Sequence, residues 1–201
     1  FFVGGPKVVH ARMILPRVFA SSLALAASSL RARPAVACAA AKHTLPSSVL
    51  DQQGAALSEA ATTQQLGGKR VALYFSAGWC PMCTSFEPSL QQFLQASEDS
   101  GKPCSLIYVP SDRTEAEALR RAKGLGLLSV PFEEADALKK QFKIWAGAES
   151  MKLGPFGRRS GVPALVVLSS EGEELAFVPA EAQGVRALQS WPMDDPRGVW
   201  Q

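Results

Sequence analysis

Apolar residues fall into short continuous runs, separated by stretches with helical spacing. Val71 to Ser76 is a run of β-favouring types without polar alternation, the pattern of a strand buried on both faces. Beyond it, Phe86, Leu90, Phe93 and Leu94 recur at helical spacing, and Gly101-Lys102-Pro103 punctuates the end of that helix. Ser105 to Pro110 gives a second apolar strand. Thr114 to Lys123 is dense in helix formers, with Ser111 or Asp112 as N-cap candidates, and Gly124 to Val130 is expected as a loop. Glu133 to Phe142 predicts a helix with Ala135, Leu138 and Phe142 on one face. Pro163 to Leu168 is a continuous apolar strand, and the turn Ser169 to Gly172 returns Glu174 to Val178 as its antiparallel partner. Ala182 to Ser190 is expected as a closing helix. Ahead of these, Pro46 to Lys69 opens with Val49 and Leu50 and continues as a polar Gln/Ala/Thr stretch, expected as an irregular strand or hairpin. Strands alternating with helices and ending in a hairpin predict an α/β domain with a mixed sheet covered on both faces.

The chemistry sits at the first strand-to-helix junction, Trp79-Cys80-Pro81-Met82-Cys83. A thiol at the mouth of a helix meets free backbone N–H groups and the positive end of the helix dipole, which favour a thiolate. Pro81 suits the first helical position, where an N–H would have no intrahelical partner. Cys83 lies one turn further on the same face, close enough to resolve a mixed disulfide formed on Cys80. Trp79 offers a flat contact surface that shields the pair, or alternatively plain core packing. The rival to a redox dithiol is half a zinc site. Cys38, Cys104, His10 and His43 supply no second paired spacing to complete one, so no metal is expected. Cys104, at the start of a strand, is expected as a small core hydrophobe. Pro88 removes a ladder bond and is expected to kink its helix.

The segment from Leu73 through Trp79-Cys80-Pro81-Met82-Cys83 to Phe86-x-Pro88 resembles the tryparedoxin/nucleoredoxin branch of the thioredoxin family. Val109 to Arg113, Val130 to Glu134 and Gly161 to Leu168 follow in the order that branch shows, and the likeness runs from about Pro46 to the C-terminus. The resemblance implies a thioredoxin fold. It also implies that Val162-Pro163 lies opposite the dithiol, with the proline cis and Val162 presenting its backbone to an extended substrate. Trp79, Pro81, Met82, Val162 and Pro163 are then the expected substrate contacts; Pro81 and Met82 replace the Gly-Pro of ordinary thioredoxins. Tyr74 stands where ordinary thioredoxins carry a buried aspartate, which leaves the proton acceptor for Cys83 unassigned. Asp112-Arg113 matches the branch's Asp-Arg pair, expected to close a loop as an ion pair. Two departures touch the substrate surface: Leu127 replaces a common tryptophan, and the link Trp145 to Arg159 is longer than usual. That link carries Lys152, Arg158 and Arg159 close to Gly161-Val162-Pro163, which predicts recognition of a partner with acidic character.

Composition changes the picture at the N-terminus. The chain of 201 residues has a net charge of +3, but six of its 21 basic residues precede Asp51, the first acidic one. The rest carries 15 basic and 18 acidic groups, a net of −3 that disfavours nucleic acid as a partner. Residues 1–43 are acid-free and rich in Ala, Ser and Arg, so they are expected as a disordered or helical targeting presequence, with Met13 a candidate true start. Residues 44–201 form the expected thioredoxin-like domain. Two addresses compete: import into a plastid or mitochondrion, and the secretory pathway. Val18 to Leu30 falls short of the ~20 apolar residues needed to span a bilayer, so membrane association after processing is not expected. Hydrophobic residues make up 47% of the chain and charged ones 19%, which excludes disorder as a whole. Four cysteines in so long a chain do not staple a secreted fold.

The expected function is therefore protein-disulfide reduction, with Cys80 as nucleophile and Cys83 resolving. The resemblance implies an external dithiol donor or reductase, and substrates that include peroxiredoxin-type peroxidases. No Gly-rich nucleotide fingerprint is present, so no bound cofactor is expected. The rival is a non-catalytic accessory or docking subunit of a larger organellar assembly. A disulfide oxidase or isomerase becomes the alternative if the leader is secretory.

Overall fold

β1 (Arg70–Ser76) is buried along its whole length because it has neighbours on both edges and helices on both faces. In the computed structural model, which describes Phe1, His43 and residues 45–201, it pairs in parallel with β2 (Cys104–Pro110) and antiparallel with β4 (Ala164–Leu168). The presequence expected over 1–43 otherwise lies outside the described residues. Among the described residues one sheet of five strands runs β3-β2-β1-β4-β5, closed by β3 (Leu128–Ser129) beside β2 and by β5 (Glu174–Val178) beside β4. This is the mixed sheet that the alternation of runs predicts.

Alternation along β1 divides the core. Val71, Leu73 and Phe75 point to one face, where α1 (Glu59–Leu66) and α4 (Ala135–Phe142) cover them with Leu66, Leu138 and Phe142. Ala72 and Tyr74 point to the other, against Phe86 and Leu90 of α2 (Pro81–Asp99) and Ala118 and Ala122 of α3 (Glu115–Leu125). Burying side chains of this size on both faces is the main force holding the sheet together. No helix among the described residues is long and apolar enough to cross a membrane.

Several local expectations are corrected. The polar stretch before β1 is helical: Ser58 caps α1 by accepting from the Ala61 N–H at 3.2 Å, and only Leu66 of that helix is buried, so little hydrophobic periodicity marks it. Thr114, rather than Ser111 or Asp112, caps α3 by accepting from the Glu117 N–H. The helix runs to Leu125 and ends at Gly126 in the left-handed region (φ 69°). The expected loop over 124–130 thus contains the end of a helix and all of β3. The closing helix is only α6 (Ala180–Gln183); Gly184 (φ 57°) breaks it, and residues 184–190 continue as a tighter 3₁₀ coil. Trp145 to Arg159 holds a 3₁₀ turn and the single-turn α5 (Ser150–Leu153). α2 continues through Pro88 to Asp99.

Candidate active site

The C-terminal ends of the parallel strands β1 and β2 open onto the loop that carries Cys80, the usual place for a site in such a sheet. Cys80 is the N-cap of α2, in extended conformation (φ −89°, ψ 115°), and Pro81 takes the first helical position. The Cys80 thiol donates toward the Val162 carbonyl across 3.8 Å. The Val162–Pro163 peptide bond is cis, as the resemblance implies. Cys80 keeps 7% of its surface exposed and Cys83 keeps none, so Cys80 lies nearer the surface and Cys83 beneath it. Both are free thiols. Burial pushes the Cys83 thiol up to about 12; the adjacent Cys80 adds to the rise, while the Ser76 hydroxyl and the Ala77 backbone oppose it.

Both cysteines pack within the apolar cluster that holds Phe75, Ala77 and Val162, while Tyr74 lies in the cluster on the other face of β1. Tyr74 and Ser76 lie on one face of β1, and both are fully buried. The Tyr74 hydroxyl donates to Glu87 Oε1 at 3.5 Å, and Arg121 from α3 pairs with Glu87 Oε2. Burial raises the Glu87 carboxyl above its ordinary value, and the Arg121 charge partly offsets this. Burial also keeps the Tyr74 phenol protonated.

Residues 67–174 match the family model described as Thioredoxin-like, which is more than half of the chain. The chain belongs to the thioredoxin-like family. Its likeness lies with the tryparedoxin/nucleoredoxin branch. It is 38% identical over 66 residues to a probable nucleoredoxin 3 from Oryza sativa subsp. japonica, a match covering 33% of this chain and 14% of the rice protein. The crystal structure of a thioredoxin from Wuchereria bancrofti superposes with a TM-score of 0.51 and 26% identity, covering 75% of this chain and 97% of that one. Tryparedoxin II from C. fasciculata superposes at 0.52 with 23% identity, covering 74% and 86%, and so shares the fold. The matched segment is thus a small part of the curated nucleoredoxin it resembles.

Around this thioredoxin-like centre, Trp79 stands with 39% of its surface exposed, its indole N–H donating to the Ser111 carbonyl at 2.8 Å. It is a surface platform and not core. Pro81 and the half-exposed Met82 continue that platform beside Cys80. Val162 and Pro163 stand at the mouth across from it, with Val162 buried. The expected Asp112–Arg113 ion pair is replaced by a hydrogen-bonded anchor. Asp112 accepts from the Gly78 N–H at 2.8 Å and from the Tyr108 hydroxyl at 2.5 Å, which fixes the turn leading to Trp79.

Two groups went unnoticed in the sequence. Glu87 sits at a helical position flanked by Phe86 and Pro88, where nothing but its isolation among apolar neighbours marks it. Glu181, from the short α6, accepts from the Gly161 N–H at 2.5 Å and the Ser160 hydroxyl at 3.3 Å, holding the loop before Val162. A Cβ at Gly161 would meet that carboxylate, so a side chain there would push Glu181 away from the loop.

The basic residues of the 145–159 link do not form the free patch that the sequence suggests. Lys152 pairs with Asp136, and Arg158 donates to the Trp145 carbonyl at 3.1 Å and lies 3.9 Å from Glu181. Arg159 pairs with Glu174 at 2.8 Å and stacks over Phe177 at 3.9 Å. Each of the three cations thus has a carboxylate partner within the domain, with Lys152 the most exposed of them. Cys104 begins β2, at the end of the sheet away from the dithiol, with its sulfur 3.9 Å from Met193 Sδ, so it is a packing residue. Among the described residues no cluster of three or more His, Cys, Asp or Glu could hold a metal.

Proposed function

We propose that this chain is a thiol–disulfide oxidoreductase that reduces protein disulfides, with Cys80 as nucleophile and Cys83 as resolving thiol. The single observation that carries the reading is the depth order of the two sulfurs: Cys80 at the mouth, facing the Val162 carbonyl at 3.8 Å, and Cys83 sealed one helical turn below. An incoming disulfide can reach only the first.

Cys80 attacks one sulfur of the substrate, and the other substrate sulfur leaves as a thiolate. The Cys83 sulfur then attacks Cys80, forming the Cys80–Cys83 bond and releasing the second substrate thiolate. The substrate gains two electrons and the dithiol loses two, which an external dithiol donor must restore. The exposed Trp79 and Met82 supply an apolar face beside the thiol, and Val162 supplies a backbone edge, a combination suited to an extended protein segment. Peroxiredoxin-type peroxidases are the proposed substrates within that class, and an organelle that imports the chain behind residues 1–43 is the proposed compartment.

The test is reduction of insulin disulfides by the wild-type chain and by Cys80→Ser. Loss of turnover in Cys80→Ser supports the reading; equal rates overturn it. Cys83→Ser, which cannot close the ring, should retain partners as mixed disulfides.

A further inference from the structure

We infer that Glu181 is the positioning residue for the edge on which a substrate segment docks: it holds Val162 in place from both sides, and the 145–159 link supports it through Arg158. This rests on the reading above that Cys80 attacks a protein disulfide beside Val162.

Val162 and Pro163 precede β4 and belong to no strand, so no ladder of sheet bonds fixes them. Among the described residues the Val162 N–H meets no acceptor, and its carbonyl meets only the Cys80 thiol, at 3.8 Å. An edge left open in this way can pair with an extended segment, provided its position is set before the segment arrives. Glu181 sets it. Ahead of Val162, Glu181 Oε2 accepts from the Gly161 N–H at 2.5 Å and from the Ser160 hydroxyl at 3.3 Å. Beyond Val162, the backbone N–H of Glu181 donates to the Pro163 carbonyl at 2.6 Å. One residue therefore brackets the dipeptide that faces Cys80. The remaining backbone bonds at Ser160 come from the link side and are longer. The Trp145 N–H donates to the Ser160 carbonyl at 3.3 Å, and the Ser160 N–H donates to the Lys143 carbonyl at 3.4 Å. A short bond from an N–H to a carboxylate outweighs such contacts.

Glu181 is itself steadied from two directions. Its neighbour in α6, Ala180, is buried in the same cluster as Val178 and Trp191, which seats the short helix. On the other side, Arg158 Nη2 lies 3.9 Å from Glu181 Oε1, while Arg158 Nη1 donates to the Trp145 carbonyl at 3.1 Å. The long link thus reaches the docking edge through one guanidinium. That pair is long and its side chains are 34% and 32% exposed, so it is the weaker of the two supports. Glu181 touches neither sulfur and acts only through the backbone it holds.

The experiment measures steady-state reduction of insulin with dithiothreitol as electron donor, and single turnover of a small aryl disulfide by the reduced chain. The aryl disulfide has no backbone to pair with Val162. Glu181→Ala should raise KM for insulin about ten-fold with a much smaller change in kcat, and the rate with the aryl disulfide should fall far less. Glu181→Gln keeps an oxygen that can accept from the Gly161 N–H and should restore most of the insulin KM. Three results overturn the inference: an insulin KM unchanged in Glu181→Ala, an equal loss on both substrates, or a Glu181→Gln variant as impaired as Glu181→Ala. If Glu181→Ala does not fold, Gly161→Ala decides by the same split between substrates, because its added methyl group would meet the Glu181 carboxylate and displace it. A wild-type chain that reduces no insulin would defeat the disulfide-exchange reading itself, and the positioning role with it.

Discussion

The Cys80 sulfur lies 3.8 Å from the carbonyl oxygen of Val162 and shares the mouth of the site with it, while Cys83 lies sealed behind. An alkylating reagent near pH 8 should therefore modify Cys80 in the reduced protein and leave Cys83 untouched. Two effects act together: the reagent cannot reach Cys83, and burial pushes that thiol up to about 12. Peptide mapping after brief iodoacetamide treatment checks this, and modification of Cys83 first would contradict the depth order.

The same shift has a consequence for stability. In the folded chain Cys83 holds its proton to about 12, whereas an unfolded cysteine releases it near about 8.5. Between those values the folded state binds more protons, so stability falls as pH rises. Below the lower value the contribution is fully present. The reduced wild type should thus lose stability between about pH 8.5 and pH 12 more steeply than Cys83→Ala. Urea midpoints measured across that window give the comparison.

Arg121 compensates a carboxylate that burial disfavours. Arg121→Ala leaves the Glu87 charge unpaired and should cost about 2 kcal/mol at neutral pH, less than for a fully enclosed pair because Arg121 is partly exposed. The folded-state value of Glu87 is already raised by burial and rises further once Arg121 is gone. Protonation then removes the penalty, so the variant should approach wild-type stability as pH falls toward the ordinary carboxylate range. A deficit that grew on acidification would show that the pair does not act through the Glu87 charge.

Asp112 ties the turn before the dithiol to β2. Asp112→Ala removes the acceptor for the Gly78 N–H and one acceptor for the Tyr108 hydroxyl, which keeps its contact with the Ser76 carbonyl at 3.2 Å. Two lost bonds, one of them only partly replaced, should cost about 2 kcal/mol in chemical unfolding. Because the turn positions Trp79, KM for a protein disulfide should rise more than kcat falls.

Much of this was legible in the chain itself. The strands β1, β2 and β4 are continuous apolar runs, and buried strands in a mixed sheet leave just that signal. Cys80, Pro81 and Cys83 fall between the apolar run of β1 and the helical recurrence of Phe86, Leu90 and Leu94, which together mark a helix mouth. What escaped depended on partners far away in sequence. β3 is two residues long and exists because β2 offers it an edge. α1 buries one side chain, so it carries no stripe to find. The Glu87–Arg121 pair spans 34 residues, and Arg158 and Arg159 look free until Glu181 and Glu174 fold against them. Local pattern reports burial well, but it cannot report which charge a side chain will meet.

The long link before β4 owes its shape to one buried cation. Lys139, only 4% exposed, pairs with Glu149 at 2.5 Å and Asp136 at 3.0 Å, and Glu149 in turn accepts from the Ala146 N–H at 2.9 Å. Lys152 pairs with Asp136 too, but its side chain is 72% exposed and held in water. The two lysines should therefore behave differently. Lys139→Ala strands the Glu149 carboxylate and should cost about 3 kcal/mol, loosening the link so that limited proteolysis cuts within residues 145–159. Lys152→Ala should leave both stability and the cleavage pattern nearly unchanged, because an exposed pair is screened and flexible. Equal sensitivity of the two variants to protease would mean that the link is held by its apolar contacts, with Leu153 as the anchor, and not by the charge at Lys139.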